Sequence, residues 1–446
     1  MEQIASFDFM RLRAGNDGGT DDAAQVSHVV SAATSGRYSD VVLIAHGFRN
    51  SEAEAESLYT RFAEGFDGHR ARPELAETLG GRTFLFVGVF WPSKKFTENE
   101  EADDGSAQGF GDDDGLGATE AQLALFLQDA TDAQRREILA AFADLRASED
   151  DPQLQDRFVT AVLDAVPFDD ADGMEGLTEI RSKAGNELLA SLETPIFLPT
   201  SRSDSEGGVS SVALDPESDD GGVLMLGGFF RSVMGRVGQV LNMGTWYTMK
   251  KRSGDVGARL VADTVRSIAG SARAPRVHFV GHSLGGRLMA SAAKALATPP
   301  TVHVASLTLL EAAFSHYGFS SHVQRESKPG FFRDVVASQV VRGPLISTFS
   351  YQDTVVGRAY SIASRLAGDT VKAVGDKDDR FGGIGRNGAQ QTDEVTAHLL
   401  EAPGHAYRFV TGTVNNIDGS GGGILDHGDV TNEKVTHAFA VAIAHT

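Results

Sequence analysis

The chain contains no cysteine, few basic residues for its length and no long apolar run. Without cysteine it forms no disulfide, no thiolate metal site and no cysteine nucleophile. It has 40 Lys and Arg against 61 Asp and Glu, a net charge of −21, which argues against a nucleic-acid partner. No segment reaches the roughly 18 apolar residues of a membrane-spanning helix, and the first residues lack a secretory signal pattern. We therefore expect a cytoplasmic protein.

Two acidic segments interrupt an otherwise globular composition of 41% hydrophobic and 23% charged residues. Residues 97–117 and 200–222 are rich in Asp, Glu, Gly and Ser, which is typical of solvated loops. Asp112, Asp113 and Asp114 lack the alternating spacing and the final Glu of a calcium-binding loop. We therefore predict no metal site there.

The segment between these loops has apolar residues at helical spacing. The pattern covers residues 119–147 and 151–166, and it predicts helices in both. We interpret residues 96–225 as a mostly helical insertion, and residues 1–95 and 226–446 as the two parts of a core domain.

Outside the insertion, short apolar runs alternate with helical segments. The predicted strands cover residues 41–45, 83–90, 277–280, 305–310, 345–349 and 407–410. Uninterrupted apolar runs are typical of strands that are buried on both faces, as in a parallel sheet. Helices are predicted at 255–268 and 287–297, on either side of one strand, and again from residue 431. This alternation indicates a doubly wound, mostly parallel α/β sheet.

A Gly-x-Ser-x-Gly motif lies at residues 281–285, between a predicted strand and a predicted helix. In this context a sharp turn raises the serine hydroxyl above the edge of the sheet. Gly281 and Gly285 are needed because side chains at these positions would clash across so tight a turn. Ser283 is therefore the candidate nucleophile.

A serine hydroxyl requires a base, and the base requires a carboxylate that orients it. In this architecture the partners follow the serine in the order acid, then histidine, on loops after strands. Asp353 comes off the predicted strand at 345–349, and His427 lies between the last predicted strand and the last helix. We assign Asp353 as the orienting acid and His427 as the base.

Other residues compete for these two roles. Glu311 follows the predicted strand at 305–310 and is the second candidate for the acid, after Asp353. His405 precedes a predicted strand, His437 lies inside the last helix, and His445 lies beyond it. His282 lies beside the serine with its side chain directed away from the hydroxyl. These four histidines therefore fit the role of the base less well.

Attack by a serine nucleophile on a carbonyl also needs N–H donors for the oxyanion of the tetrahedral intermediate. One is the backbone N–H of Leu284, directly after the nucleophile. The second is expected from residues 46–50 (HGFRN), which follow the first predicted strand. Gly47 permits a tight turn there, and the N–H of Phe48 is the natural donor. We interpret His46 as a structural hydrogen-bonding residue under that turn.

Residues 281–286 (GHSLGG) are similar to the nucleophile elbow of lipases and esterases with the α/β-hydrolase fold. Residues 46–48 (HGF) resemble the oxyanion turn of lipases that have a single glycine there. The resemblance extends over 39–96 and from residue 240 onward, and it leaves out the insertion. It implies an α/β-hydrolase fold and a serine hydrolase that acts on a small-molecule or lipid ester. No metal or organic cofactor is required.

Three further segments resemble bacterial hydrolase-like proteins of unassigned activity. They are residues 90–94 (FWPSK), 353–357 (DTVVG) and 382–389 (GGIGRNGA). This second resemblance implies the architecture and supplies no substrate. The glycine-rich run at 382–388 lacks a Walker lysine and a directly preceding strand, so we interpret it as a structural loop beneath Asp353.

Residues 224–252 mix Leu, Met, Phe and Trp with Arg and Lys. This composition suits an ordinary packing helix, a lid or acyl-pocket lining, or a weak contact with a membrane surface. Glycines reduce the expectation of one regular helix here, and they stand at Gly227, Gly228, Gly235 and Gly238.

Two alternatives to an esterase remain at this point. An amidase or thioesterase would use the same groups. A catalytically idle hydrolase fold would serve as a binding or signalling module, with the insertion as its interaction surface. The sequence predicts no particular oligomeric state.

Overall fold

A computed structural model of the chain describes residues 2–20, 22–93, 116–167, 174–192, 232–298, 302–323, 326–367 and 377–446. Most of the first predicted acidic loop, with Asp112, Asp113 and Asp114, lies outside these residues, as does all of the second at 200–222. The last two residues of the first predicted loop instead begin the helix Leu116–Leu127.

The chain divides into two compact units. The first comprises Met1–Lys94, Arg252–Val356 and Gly383–Thr446, and the second comprises Lys95–Lys251 and Gly357–Gly382. The second unit therefore extends beyond the predicted boundary at residue 225. It does so because a helix runs from Val233 to Val256 and because a later helix places Tyr360 against Trp246, with ring centroids 5.4 Å apart.

The first unit contains a nine-stranded sheet. In chain order the strands are β1 (Glu2–Ile4), β2 (Phe7–Arg13), β3 (Asp40–Ala45), β4 (Phe84–Phe90), β5 (Arg276–His282), β6 (Ser306–Leu310), β7 (Leu345–Phe349), β8 (Val395–Leu399) and β9 (Val414–Asp418). Their order across the sheet is β1-β2-β4-β3-β5-β6-β7-β9-β8. Strand β1 pairs antiparallel with β2, and the other neighbours pair in parallel. The predicted mostly parallel α/β architecture is confirmed at this level.

The described helices are α1 (Ala23–Ala33), α2 (Glu52–Arg70), α3 (Pro73–Leu79), α4 (Leu116–Leu127), α5 (Asp132–Ala147), α6 (Pro152–Ala165), α7 (Leu177–Arg181), α8 (Gly185–Ser191), α9 (Val233–Val256), α10 (Ala262–Ala269), α11 (Leu284–Leu296), α12 (Arg333–Ala337), α13 (Thr354–Ala367), α14 (Ile384–Asn387) and α15 (Glu433–Ala444). A π-helical turn, Gly257–Val261, joins α9 to α10. The helix predicted at 255–268 is therefore the end of a longer helical run.

Helices cover both faces of the sheet. Helices α2, α3 and α15 pack on one face, where Phe62 and Phe66 lie 4.9 and 5.1 Å from the ring of Phe439. Helix α11 packs on the other face, against β3, β5 and β6, and the π-helical turn packs against α11. Strands β3, β4 and β7 are buried along their whole length, as their apolar sequences predict.

The prediction of a strand at residues 407–410 is wrong. Tyr407 and Phe409 stack on each other at 5.0 Å within the core, which explains their apolar character without a strand. The N–H and the C=O of Val410 bond to the side chain of Asn415 rather than to a neighbouring strand. The last strand of the chain is β9, and His427 still follows it.

The second unit is helical in its described part. The helix predicted at 119–147 is interrupted, because Thr131 and Gln134 form a capping box that starts α5. Gly235 and Gly238 lie inside α9, which is one continuous helix although glycines reduced that expectation. A Cβ at Gly244 would lie 2.7 Å from the ring of Phe126, so α9 and α4 approach each other closely. No described helix is both long and apolar enough to cross a membrane.

A buried carboxylate ties the start of β3 to its neighbours. Asp40 accepts hydrogen bonds from Arg82 (2.9 Å), Arg276 (2.9 Å) and His278 (3.0 Å). Burial raises the pKa of Asp40, but these hydrogen bonds outweigh it and hold the pKa below its usual value.

Replacing Asp40 with alanine is expected to cost about 3–5 kcal/mol of unfolding free energy, because Arg82 is left buried without its counter-charge. Urea unfolding at neutral pH measures this cost. The matched control is Asp263→Ala, which removes an exposed ion pair with Arg266 and should cost at most about 1 kcal/mol. Equal costs would contradict the prediction. The contribution of Asp40 is present above about pH 4 and falls as acidification approaches its lowered pKa.

Candidate functional site

Ser283 lies at the turn between β5 and α11, where the backbone is strained. Its φ of +56° and ψ of −125° are unusual for a residue with a side chain. The turn is held because the Ser283 N–H donates to Leu310 O (3.0 Å) and the Ser283 carbonyl accepts from Ala313 N (3.0 Å). Strain of this kind costs about 1–3 kcal/mol and is concentrated at functional sites.

The two glycines of the motif allow this turn to close. A Cβ at Gly281 would lie 2.2 Å from the carbonyl oxygen of Gly285, and a Cβ at Gly285 would lie 2.3 Å from that of Ala45. Both obstacles are backbone atoms, which cannot move aside cheaply. This agrees with the expectation that side chains at these positions would clash.

His427 and Asp353 are in direct contact. The Nδ1 of His427 lies 2.8 Å from Oδ2 of Asp353, and both residues are buried. The other carboxylate oxygen of Asp353 accepts from Val356 N at 2.9 Å. With Nδ1 engaged by the carboxylate, Nε2 is the imidazole atom that remains for proton transfer.

The glycine-rich segment at 382–388 fixes the loop that carries Asp353. Arg386 in α14 donates to the backbone carbonyls of Tyr351 and Asp353, the latter at 3.2 Å. The carbonyl of Gly385 accepts from Ser350 N at 3.0 Å. The segment therefore packs against the Asp353 loop, as the sequence predicts.

His282 supports the loop that carries His427, a role that the sequence did not suggest. Its Nε2 donates to the His427 carbonyl at 2.8 Å, and the two ring centroids are 4.7 Å apart. Burial and the neighbouring His427 ring lower the pKa of His282 to about 3, so it is neutral at pH 7. The sequence signal for this role of His282 is limited to its position next to Ser283.

The turn after β3 lies against Ser283. A Cβ at Gly47 would be 2.9 Å from Cβ of Ser283 and 3.4 Å from its hydroxyl oxygen. Within the described residues, neither the N–H of Phe48 nor that of Leu284 donates a hydrogen bond. Leu284 is the first residue of α11, so its N–H has no acceptor inside the helix. Within the described residues, both N–H groups therefore remain available to donate to an oxyanion.

His46 stabilises the turn after β3 through hydrogen bonds. Its Nδ1 lies 3.0 Å from Gly47 O, and its Nε2 accepts from the backbone N–H of Trp91 at 3.3 Å. The indole of Trp91 stacks on the imidazole and donates to His46 O at 2.9 Å. Burial lowers the pKa of His46 to about 4, so its ring is neutral and structural.

Ser283 and His427 are not hydrogen-bonded to each other through their side chains in the described part of the chain. The structure therefore brings together His427 with Asp353, and Ser283 with the Gly47 turn, while His282 contacts the loop of His427. Contacts between a nucleophile and its base are often long before a substrate binds. The arrangement suits acyl transfer once Nε2 and the hydroxyl meet.

Glu311, the second candidate for the acid, lies directly after β6 and is fully buried. Among the described residues, no N–H or O–H group in hydrogen-bonding geometry donates to either of its carboxyl oxygens. The carboxylate that contacts His427 is that of Asp353. His405 and His437 bond to each other, His437 Nε2 lying 3.0 Å from His405 O.

Comparisons with protein-family models, with curated proteins and with solved structures give no match for this chain.

Proposed function

We propose that the chain is a serine hydrolase with the α/β-hydrolase fold that cleaves a carboxylic ester. The observation that carries this proposal is the strained Ser283 between β5 and α11, together with the buried His427–Asp353 pair. A motif of this kind is informative only when it occupies a turn from a strand to a helix. Here it does, and the partners follow in the order acid, then histidine.

In the proposed reaction the Ser283 hydroxyl oxygen attacks the ester carbonyl carbon. His427 Nε2 takes the hydroxyl proton, and Asp353 holds Nδ1–H and stabilises the imidazolium. The N–H groups of Phe48 and Leu284 donate hydrogen bonds to the oxyanion. The imidazolium then gives its proton to the departing alcohol, which leaves an acyl-enzyme on Ser283. Water, activated by His427, hydrolyses this intermediate.

The resemblance of residues 281–286 to the elbow of lipases and esterases favours an ester with an apolar acyl group. Amides and thioesters would react through the same groups. A panel of short- and long-chain p-nitrophenyl esters, assayed beside matched thioesters and anilides, ranks these substrates by kcat/KM.

A fluorophosphonate probe tests the proposal directly. Ser283 Oγ would attack phosphorus and release fluoride, which leaves a stable phosphonyl group on the serine. We expect covalent labelling of the folded chain, with mass spectrometry locating the adduct at Ser283. Ser283→Ala should not label, whereas the control Ser291→Ala, in the same helix α11, should. If the folded native chain fails to label, the hydrolase proposal is wrong and a binding role for the fold is favoured.

A further inference from the structure

Two carboxyl groups, not one, lie at the acid position of the site. Strands β6 and β7 are parallel neighbours, so their carboxyl ends meet at the same edge of the sheet. Glu311 directly follows β6, and Asp353 lies on the loop that follows β7. Both side chains are completely buried.

The Glu311 carboxyl is poorly placed to carry a negative charge. Within the described residues, no N–H or O–H group in hydrogen-bonding geometry donates to either of its oxygens, and no cation pairs with it. An ionised carboxylate in that condition is too costly to bury. Asp353, by contrast, receives hydrogen bonds from Val356 N and His427 Nδ1. The proton of the pair therefore belongs on Glu311.

The charges around Glu311 also favour its protonated form. Asp353 on the β7 loop and Asp429 on the loop after β9 are the charged groups that act on it. Arg386 of α14 is directed to the backbone carbonyls of Tyr351 and Asp353. Burial and the charge of Asp353 raise the pKa of Glu311 well above its usual value, and the nearby Thr348 hydroxyl opposes this to a smaller extent. A hydrogen bond between the Glu311 and Asp353 carboxyl groups raises the pKa further, with Glu311 as the donor.

The backbone at Glu311 is also held in an unfavourable conformation. Its φ is +44°, and Gly385 packs so closely that a Cβ there would lie 2.5 Å from the carbonyl carbon of Glu311. The Glu311 N–H is 3.2 Å from the Thr348 hydroxyl, which anchors this strained residue to β7. Strain that the surroundings maintain in this way is typical of functional positions.

We infer that Glu311 is a neutral carboxylic acid that shares its proton with Asp353 and thereby sets the charge that Asp353 presents to His427. The inference about catalysis rests on the proposed function, whereas the protonation state of Glu311 does not. Glu311 is a positioning residue, since it acts on His427 through Asp353. A proton donated to Asp353 reduces the negative charge that this carboxylate presents to Nδ1 of His427 and so weakens its stabilisation of the imidazolium.

The protonation state is tested by unfolding the full chain in urea at several pH values, native against Glu311→Gln. The folded native chain keeps a proton that the unfolded chain releases, so its unfolding constant should rise relative to that of E311Q by about tenfold per pH unit above about pH 5. The control E394Q removes a carboxylate that pairs with Arg333 at 2.5 Å and has a lowered pKa. Its ratio to the native chain should stay constant over the same range. A constant ratio for E311Q as well would overturn the inference.

The positioning role is tested by the pH dependence of fluorophosphonate labelling. Glu311→Ala removes the donor, so the acid limb of the rate profile should move to higher pH. Glu311→Gln retains an N–H donor and should restore the native profile. Coincident profiles for E311A and the native chain would overturn the positioning role. The absence of labelling in the native chain would overturn the proposed function alone, because the unfolding comparison requires no hydrolysis.

Discussion

Alanine at Ser283 is expected to lower kcat for ester hydrolysis by about a millionfold, the scale on which loss of a serine nucleophile acts in enzymes of this mechanism. The remaining rate comes from the oxyanion donors and from substrate positioning, which this substitution leaves in place. Alanine must adopt the same positive φ as Ser283 and is no larger than serine, so the substitution should leave the fold intact. Steady-state kinetics on the best p-nitrophenyl ester measures the effect.

The matched comparison is His427→Ala, alone and combined with Ser283→Ala. Residues that act as one unit lose activity non-additively, so the double variant should be no slower than either single variant. Losses that multiply would show that the two residues act independently, and a small loss for Ser283→Ala would assign the nucleophile elsewhere. Circular dichroism of each variant establishes that the fold is intact.

Asparagine at Asp353 is expected to lower kcat by ~10⁴-fold through the tautomer of His427. Asp353 accepts a hydrogen bond from Nδ1 at 2.8 Å. An asparagine amide would instead donate to Nδ1, which leaves the proton on Nε2, where the base must be free. The amide oxygen of the asparagine can still accept the hydrogen bond from the Val356 N–H, so the loop should keep its conformation.

The control for this substitution is Asp426→Asn, next to His427 in the sequence. The exposed Asp426 accepts from Gly428 N at 2.7 Å, and an amide oxygen can accept the same bond. Its kcat should therefore be close to that of the native chain. Similar losses for both variants would mean that disturbance of the loop, and not the tautomer, explains the effect of Asp353→Asn.

The sequence predicted the centre of the sheet well and its margins poorly. Strands β3 to β7 each contain an apolar run because almost all of their residues are buried. Strand β2 alternates polar and apolar residues, and β8 is largely exposed, so neither produced an apolar run. Strand β9 contains Asn415, which is buried because its side chain bonds to Leu345 O and Val410 O. Such side-chain contacts over long sequence distances are not visible in a local pattern.

Chain order and the positions of strand ends were enough to predict the candidate acid and base. They did not predict the residues that hold the loops of these two residues in place. His427 and Asp353 were chosen from their positions after strands, and the structure places them in hydrogen-bonding distance. The contact from His282 to the His427 carbonyl depends on how two loops fold toward each other. The unusual state of Glu311 follows from the lack of an N–H or O–H donor to its carboxyl within the described interior, which a local sequence pattern does not reveal.

The order of strands at the far edge of the sheet has a consequence for biosynthesis. Strand β9 lies between β7 and β8 although it is made after both, so the growing chain must leave a gap or open an existing pair to admit it. His427 follows β9 and reaches Asp353 only after this insertion. A ribosome-bound fragment that ends before β9 thus carries Ser283 without His427, so the proposed acyl transfer would have to wait for this strand to be inserted.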